Sequence, residues 1–108
     1  MRLPDGAHAH VDHEKIDGYL LSRTHPTGRF KARFFRSIGL DDAADLESAL
    51  LVVARNGTVT SRMRTEYGMK YIVDGRLPTP TGTPVPVRTV WLRERRAPEP
   101  RFVTAYPL

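Results

Sequence analysis

The repeat period of the apolar residues changes once along the chain, at Asn56-Gly57, and this single change constrains the fold more than any other feature. Upstream, the stretch LDDAADLESALLVVARNG places Leu46, Ala49, Leu50 and Val53 at three- and four-residue spacing, the signature of a helix with one buried face. Asp41 or Asp42 is the expected N-cap, and Asn56-Gly57 the stop. Downstream the period is two. Val59, Ser61 and Met63 alternate with Thr60, Arg62 and Arg64, and Met69, Tyr71 and Val73 alternate with Lys70, Ile72 and Asp74, with Glu66-Tyr67-Gly68 as the turn between them. A third strand, about Val85 to Arg93, follows the loop LPTPTGTP, and a fourth, Arg101 to Tyr106, follows RRAPEP. Connections this short join antiparallel neighbours. The expected fold is α+β, with three N-terminal helices packed on a four-stranded antiparallel meander. Pro86 cannot donate to a ladder, so it belongs at the start of the third strand.

The other two helices are less marked. Residues 1 to 11 read as an irregular lead. Asp12 is placed to cap a helix whose inner face is Ile16, Tyr19 and Leu20, and Gly18 weakens that helix by about 1 kcal/mol relative to alanine. THPTG, residues 24 to 28, is a turn. A second helix is expected from Arg29 to Ser37, with Phe30, Phe34 and Ile38 facing the core and Gly39 ending it. At 108 residues the chain fits one domain, helical over 12–56 and sheet over 58–107. Met1 reads as the start of a complete small protein.

Function classes narrow by exclusion. Without cysteine there are no disulfides and no thiolate chemistry. The longest apolar run, ALLVVA, is too short to cross a bilayer, so no membrane role is expected and a cytoplasmic location is the default, with export lacking an N-terminal signal left open. The spacing of His8, His10 and His13 in HAHVDHE suits surface histidines better than metal ligands, and neither a metal nor a cofactor is expected.

The net charge is +5, and a small domain this basic favours nucleic acid or an acidic partner. Residues 1–56 hold eight Lys/Arg against eight Asp/Glu, and 57–108 hold nine against four, so the excess lies in the second half. Within the neutral half, Arg23, Arg29, Lys31, Arg33 and Arg36 form a block without an acid around HPTGRFKARFF. A solvated face on an amphipathic helix explains most of such a block. His25 in the turn, Lys31 and the helix start are also the parts of a phosphate cradle. In the last strand, alternation sets Phe102, Thr104 and Tyr106 on one face and Val103 and Ala105 on the other. Small apolar residues suit the helix side, which leaves Thr104 and Tyr106 on the open face. Arg88 and Thr89 lie on opposite faces of the third strand, so only one of them can join that surface.

Read together, KIDGYLL, HPTGRFKARFF, VRTVW and VTAYP resemble a small bacterial domain family of uncharacterised function whose members share these blocks in this order. In architecture and residue type the chain is also similar to the barnase/EndoU/colicin/RelE-like superfamily of metal-independent ribonucleases and toxin domains. That resemblance implies a toxin-like endoribonuclease that cleaves RNA by 2′-hydroxyl attack in a basic cleft. It gives His25 an acid/base role and makes Lys31 and Arg33 holders of the phosphate. It sets Thr104 and Tyr106 beside the reacting oxygens, and Arg29, Arg88 or Thr89 on the substrate. His13, Glu66 and Tyr106 are the candidates for a second acid or base. RNA and an acidic immunity or antitoxin protein are the implied partners. The alternative is a non-catalytic module that binds RNA or an acidic protein through the same surface.

Overall fold

A computed structural model describes residues 1–108. Helices precede strands as the change of period requires. α1 (His13–Lys15) widens at once into a π-helical turn (Ile16–Leu20) and is followed by α2 (Gly28–Ser37) and α3 (Ala43–Asn56). The strands β1 (Thr58–Thr65), β2 (Gly68–Leu77), β3 (Val85–Glu94) and β4 (Ala97–Pro107) pair antiparallel in the order β1-β2-β3-β4. No helix is long and apolar enough to cross a membrane.

α3 forms as its sequence dictates. The Asp42 carboxylate accepts the Asp45 N–H at 3.1 Å, and Leu46, Ala49, Leu50, Val53 and Ala54 are buried, with the helix lying across β2. α2 departs from expectation in its rotation. Two apolar stripes compete on it, and the one formed by Gly28, Ala32 and Phe35 faces the core, leaving Phe34 half-buried and Phe30 58% exposed. Small residues win because they let the helix come closer to its neighbour. A Cβ on Gly28 would stand 2.0 Å from the Tyr19 carbonyl oxygen, a contact only glycine allows. Gly39, at φ +88°, ends α2 in a Schellman arrangement, with Leu40 N–H donating to the Phe35 carbonyl at 2.8 Å.

The first helix also differs. Asp12 makes no side-chain cap, and the segment that was to be a regular helix through Leu20 is mostly π-helical. It still buries Ile16 and Leu20. The Leu21 carbonyl at its end accepts from Arg36 Nη2 at 2.7 Å, which ties the turn to α2.

On the helix-facing side of the sheet lie Tyr71, Val73, Leu77, Val87, Thr89, Trp91, Phe102 and Ala105, all buried. The register shifts after Val90↔Thr104, so that Trp91 pairs with Phe102 and Val103 is the extra residue of a β-bulge. Simple alternation put Phe102 on the open face. The bulge turns it inward, edge-on to Trp91 at 5.3 Å, and leaves Thr104 and Tyr106 outside. β1 is an edge strand beyond the helices. Ser61 and Met63, expected to be half-buried, are exposed there. The N-terminal lead is more ordered than its composition suggested. Met1 accepts from the Val59 N–H at 2.7 Å, and His10 bridges in parallel to Arg101, with Phe102 N–H donating to His10 at 2.9 Å. It thus runs from β1 to β4 and pairs with the middle of the outer edge of β4.

Candidate functional site

Where α2 passes the edge of β4, two helical side chains reach the open sheet face. Lys31 Nζ donates to Thr104 Oγ1 at 2.6 Å, and the Tyr19 hydroxyl lies 3.1 Å from the same oxygen. The Lys31 ammonium also sits 5.2 Å from the centre of the Tyr19 ring and 5.4 Å from that of Tyr106. It has no carboxylate partner within 4.0 Å, since the ion pairs of the chain are made by Arg88, Arg93, Arg101, His10 and His13. Two aromatic faces and one hydroxyl therefore hold a cation whose charge is not neutralised.

The cation acts on Tyr19. Partial burial pushes the phenol up, but hydrogen bonding from Lys31 and Thr104, together with the charges of Lys31 and Lys15, outweighs it and brings the phenol below the ordinary 10.0. The Tyr19 ring meets that of His25 edge-on at 4.9 Å. His25 Nδ1 accepts two backbone N–H groups, from Thr27 at 3.0 Å and Gly28 at 2.9 Å, so the imidazole caps the start of α2. With Nδ1 acting as acceptor, the neutral ring carries its proton on Nε2, on the edge away from the helix. Tyr19, His25 and Thr104 line an open groove of about 600 Å³, with Lys15 and Arg101 as cations and Asp12 and Glu14 as carboxylates on its wall.

Of the residues expected from the sequence, His25, Lys31, Thr104 and Tyr106 come together. Arg88 is near, on the open face beside Tyr106, but its guanidinium forms a two-point pair with Asp74, both bonds 2.8 Å, which holds it firmly charged. Thr89 does not belong to the site. It lies on the opposite face, 0% exposed, accepting from Trp91 Nε1 at 2.7 Å and donating to the Val73 carbonyl at 2.8 Å, so its hydroxyl serves to satisfy a buried indole. Arg29 and Arg33 are elsewhere too. Helical phase sets them roughly 160° round α2 from Lys31, where with Arg23, Arg36 and Phe30 they line a second depression of about 590 Å³. His13 faces Glu47 at 3.9 Å and Glu66 is in the β1–β2 turn, so among the candidate second groups only Tyr106 adjoins Lys31. Tyr19, on the inner helix face by its spacing, is only half-buried and brings its hydroxyl to Thr104. Its signal was available in the sequence, because a buried phenol needs a partner for its hydroxyl.

Residues 2–108 match the family described as Domain of unknown function (DUF6883). The chain belongs to this family. In solved structures, this DUF6883 domain is similar to a chain of the "Contact-dependent growth inhibition toxin - immunity protein complex from Klebsiella pneumoniae 342", at a TM-score of 0.71 and 20% identity, covering 95% of this chain and 96% of that one. At that identity the likeness is one of fold. No curated protein matches the chain.

Proposed function

We propose that this DUF6883 domain is a toxin-type, metal-independent endoribonuclease whose reaction centre is the Tyr19–Lys31–Thr104 cluster. The observation that carries the reading is an uncompensated ammonium bonded at 2.6 Å to a hydroxyl that also contacts an acidified phenol. The fold likeness to a chain of a growth-inhibition toxin–immunity complex supports a place in such a pair, as toxin or as immunity protein, and it makes a protein partner the matching expectation. The Tyr19–Lys31–Thr104 cluster is what favours the toxin.

In the proposed reaction, ionised Tyr19 takes the proton of a ribose 2′-hydroxyl and the 2′-oxygen attacks the adjacent phosphorus. The P–O5′ bond breaks, and Tyr19 returns the proton to the departing 5′-oxygen. The products are a 2′,3′-cyclic phosphate and a 5′-hydroxyl, and the enzyme is restored. Lys31 stabilises the charge on the phosphorane, and the Nε2–H of His25 holds a non-bridging oxygen. A positioned base of this kind supplies about 10²- to 10⁴-fold.

The test is cleavage of total RNA and tRNA by the pure folded protein in the presence of chelator, with Lys31→Ala and Tyr19→Phe each reducing it by about 10²-fold or more. Intact RNA after prolonged incubation refutes the reading. The arginine flank of α2, which is remote from the cluster, favours a second reading as a binding module for RNA or an acidic protein. That reading predicts salt-sensitive binding without cleavage.

A further inference from the structure

The exposed crest of α2 separates two cationic surfaces, and what lies on the crest is an aromatic ring. Lys31 occupies one flank beside Thr104. Arg29, Arg33 and Arg23 occupy the other, none with a carboxylate within 4.0 Å. Between them Phe30 is 58% exposed, with the Arg29 guanidinium 4.8 Å from its ring centre. An apolar ring of this size on a helix crest contributes nothing to the core. The Arg29 cation–π contact holds the ring while more than half of the residue stays exposed.

The geometry points to α2 as a path for single-stranded RNA, with one unpaired base stacked on Phe30 and the backbone running from Lys31 across the crest to Arg29 and Arg33. The inference rests on the ribonuclease reading for the identity of the ligand and adds that the substrate is unpaired next to the cut. A duplex has its bases stacked on each other and cannot offer one to Phe30, whereas a loop or a free strand can. An acidic protein would also be drawn to the arginines. Such a partner covers the ring with an apolar side chain instead of a base, and Phe30-dependent binding of the single strand but not the duplex decides between them.

The experiment measures binding of a short 2′-O-methyl RNA, which 2′-hydroxyl attack cannot cleave, as single strand and as duplex over a range of salt. Phe30→Ala is expected to weaken the single strand about 5- to 100-fold and leave the duplex unchanged. Arg29→Gln and Arg33→Gln are each expected to lower the slope of log K against log salt by about 0.7. Circular dichroism melts confirm that the variants fold, as an exposed Phe30 implies. Single-strand affinity unchanged in Phe30→Ala overturns the path, as does equal loss for single strand and duplex. Unmodified RNA is incubated in parallel. Cleavage with no role for Phe30 refutes the path alone, and Phe30-dependent binding without cleavage refutes the ribonuclease alone.

Discussion

The Lys31 ammonium donates to the Thr104 hydroxyl at 2.6 Å, joining positions 73 residues apart in the chain. The first consequence falls on Tyr19, which shares Thr104 Oγ1 at 3.1 Å. Lys31→Met removes both a hydrogen-bond donor and a charge, and the phenol is expected to rise toward 10.0, because burial remains and only Thr104 and Lys15 still oppose it. Ultraviolet difference titration against Tyr19→Phe measures this. An unchanged midpoint counts against the cluster.

The same group gives a pH dependence of stability. The folded phenol ionises below 10.0, so between its own pKa and 10.0 the unfolded chain holds more protons and stability rises with pH. Below its folded pKa Tyr19 is protonated in both states and contributes nothing through ionisation. Denaturant melts of wild type and Tyr19→Phe should therefore keep a constant separation below that folded pKa and diverge as the pH rises from it to 10.0.

Arg88 and Lys31 are both cations on the open face, but only Arg88 is committed, through its two 2.8 Å bonds to Asp74. Lys31→Ala should reduce RNA cleavage by about 10²- to 10³-fold, and Arg88→Gln by much less. Asp74→Asn is the sharper probe, since it frees a guanidinium without changing shape. RNA binding should tighten, and its salt dependence should steepen by up to about 0.7 in the log–log slope. A flat response means that RNA does not reach this face.

His25 has two duties that substitution separates. His25→Ala removes the acceptor of the Thr27 and Gly28 N–H groups and should cost about 0.5–2 kcal/mol in a denaturant melt. His25→Asn keeps a side-chain oxygen for those donors and should recover most of the loss. Neither variant has Nε2, so both should lose cleavage alike. Recovery of activity together with stability in His25→Asn would make the histidine a cap and nothing more.

What was legible in the sequence is what depends on local period. Leu46, Ala49, Leu50 and Val53 are the buried face of α3, and the meander follows from short connections. The rotation of α2 was not legible, since Phe30/Phe34 and Ala32/Phe35 are both valid helical stripes and the choice depended on how closely Gly28 could approach Tyr19. Phe102 was misread for a similar reason: a bulge at Val103 changes the side of every residue before it, and no strand-length pattern marks it. At the site, Lys31 and Thr104 were named from residue type and meet. The ribonuclease resemblance alone pairs Arg33 with Lys31 on the phosphate, whereas helical phase places them almost opposite.

The packing that brings the site together rests on Gly28, and a pair of glycine variants isolates it. A Cβ at Gly28 would meet the Tyr19 carbonyl oxygen at 2.0 Å and its carbonyl carbon at 2.7 Å, both backbone atoms that cannot rotate away. Gly28→Ala must push the π-helical turn off α2, at a cost of about 1–3 kcal/mol or more. That displacement moves Tyr19 from Thr104, so the phenol midpoint should shift toward 10.0 in the same variant. Gly18, in the middle of the same turn, has nothing within 4 Å of its added Cβ. Gly18→Ala should therefore raise stability by about 0.4–1 kcal/mol, chiefly by narrowing the unfolded ensemble, and leave Tyr19 unchanged. If the two alanines behave alike in denaturant melts, close approach at Gly28 does not hold Tyr19 in the site.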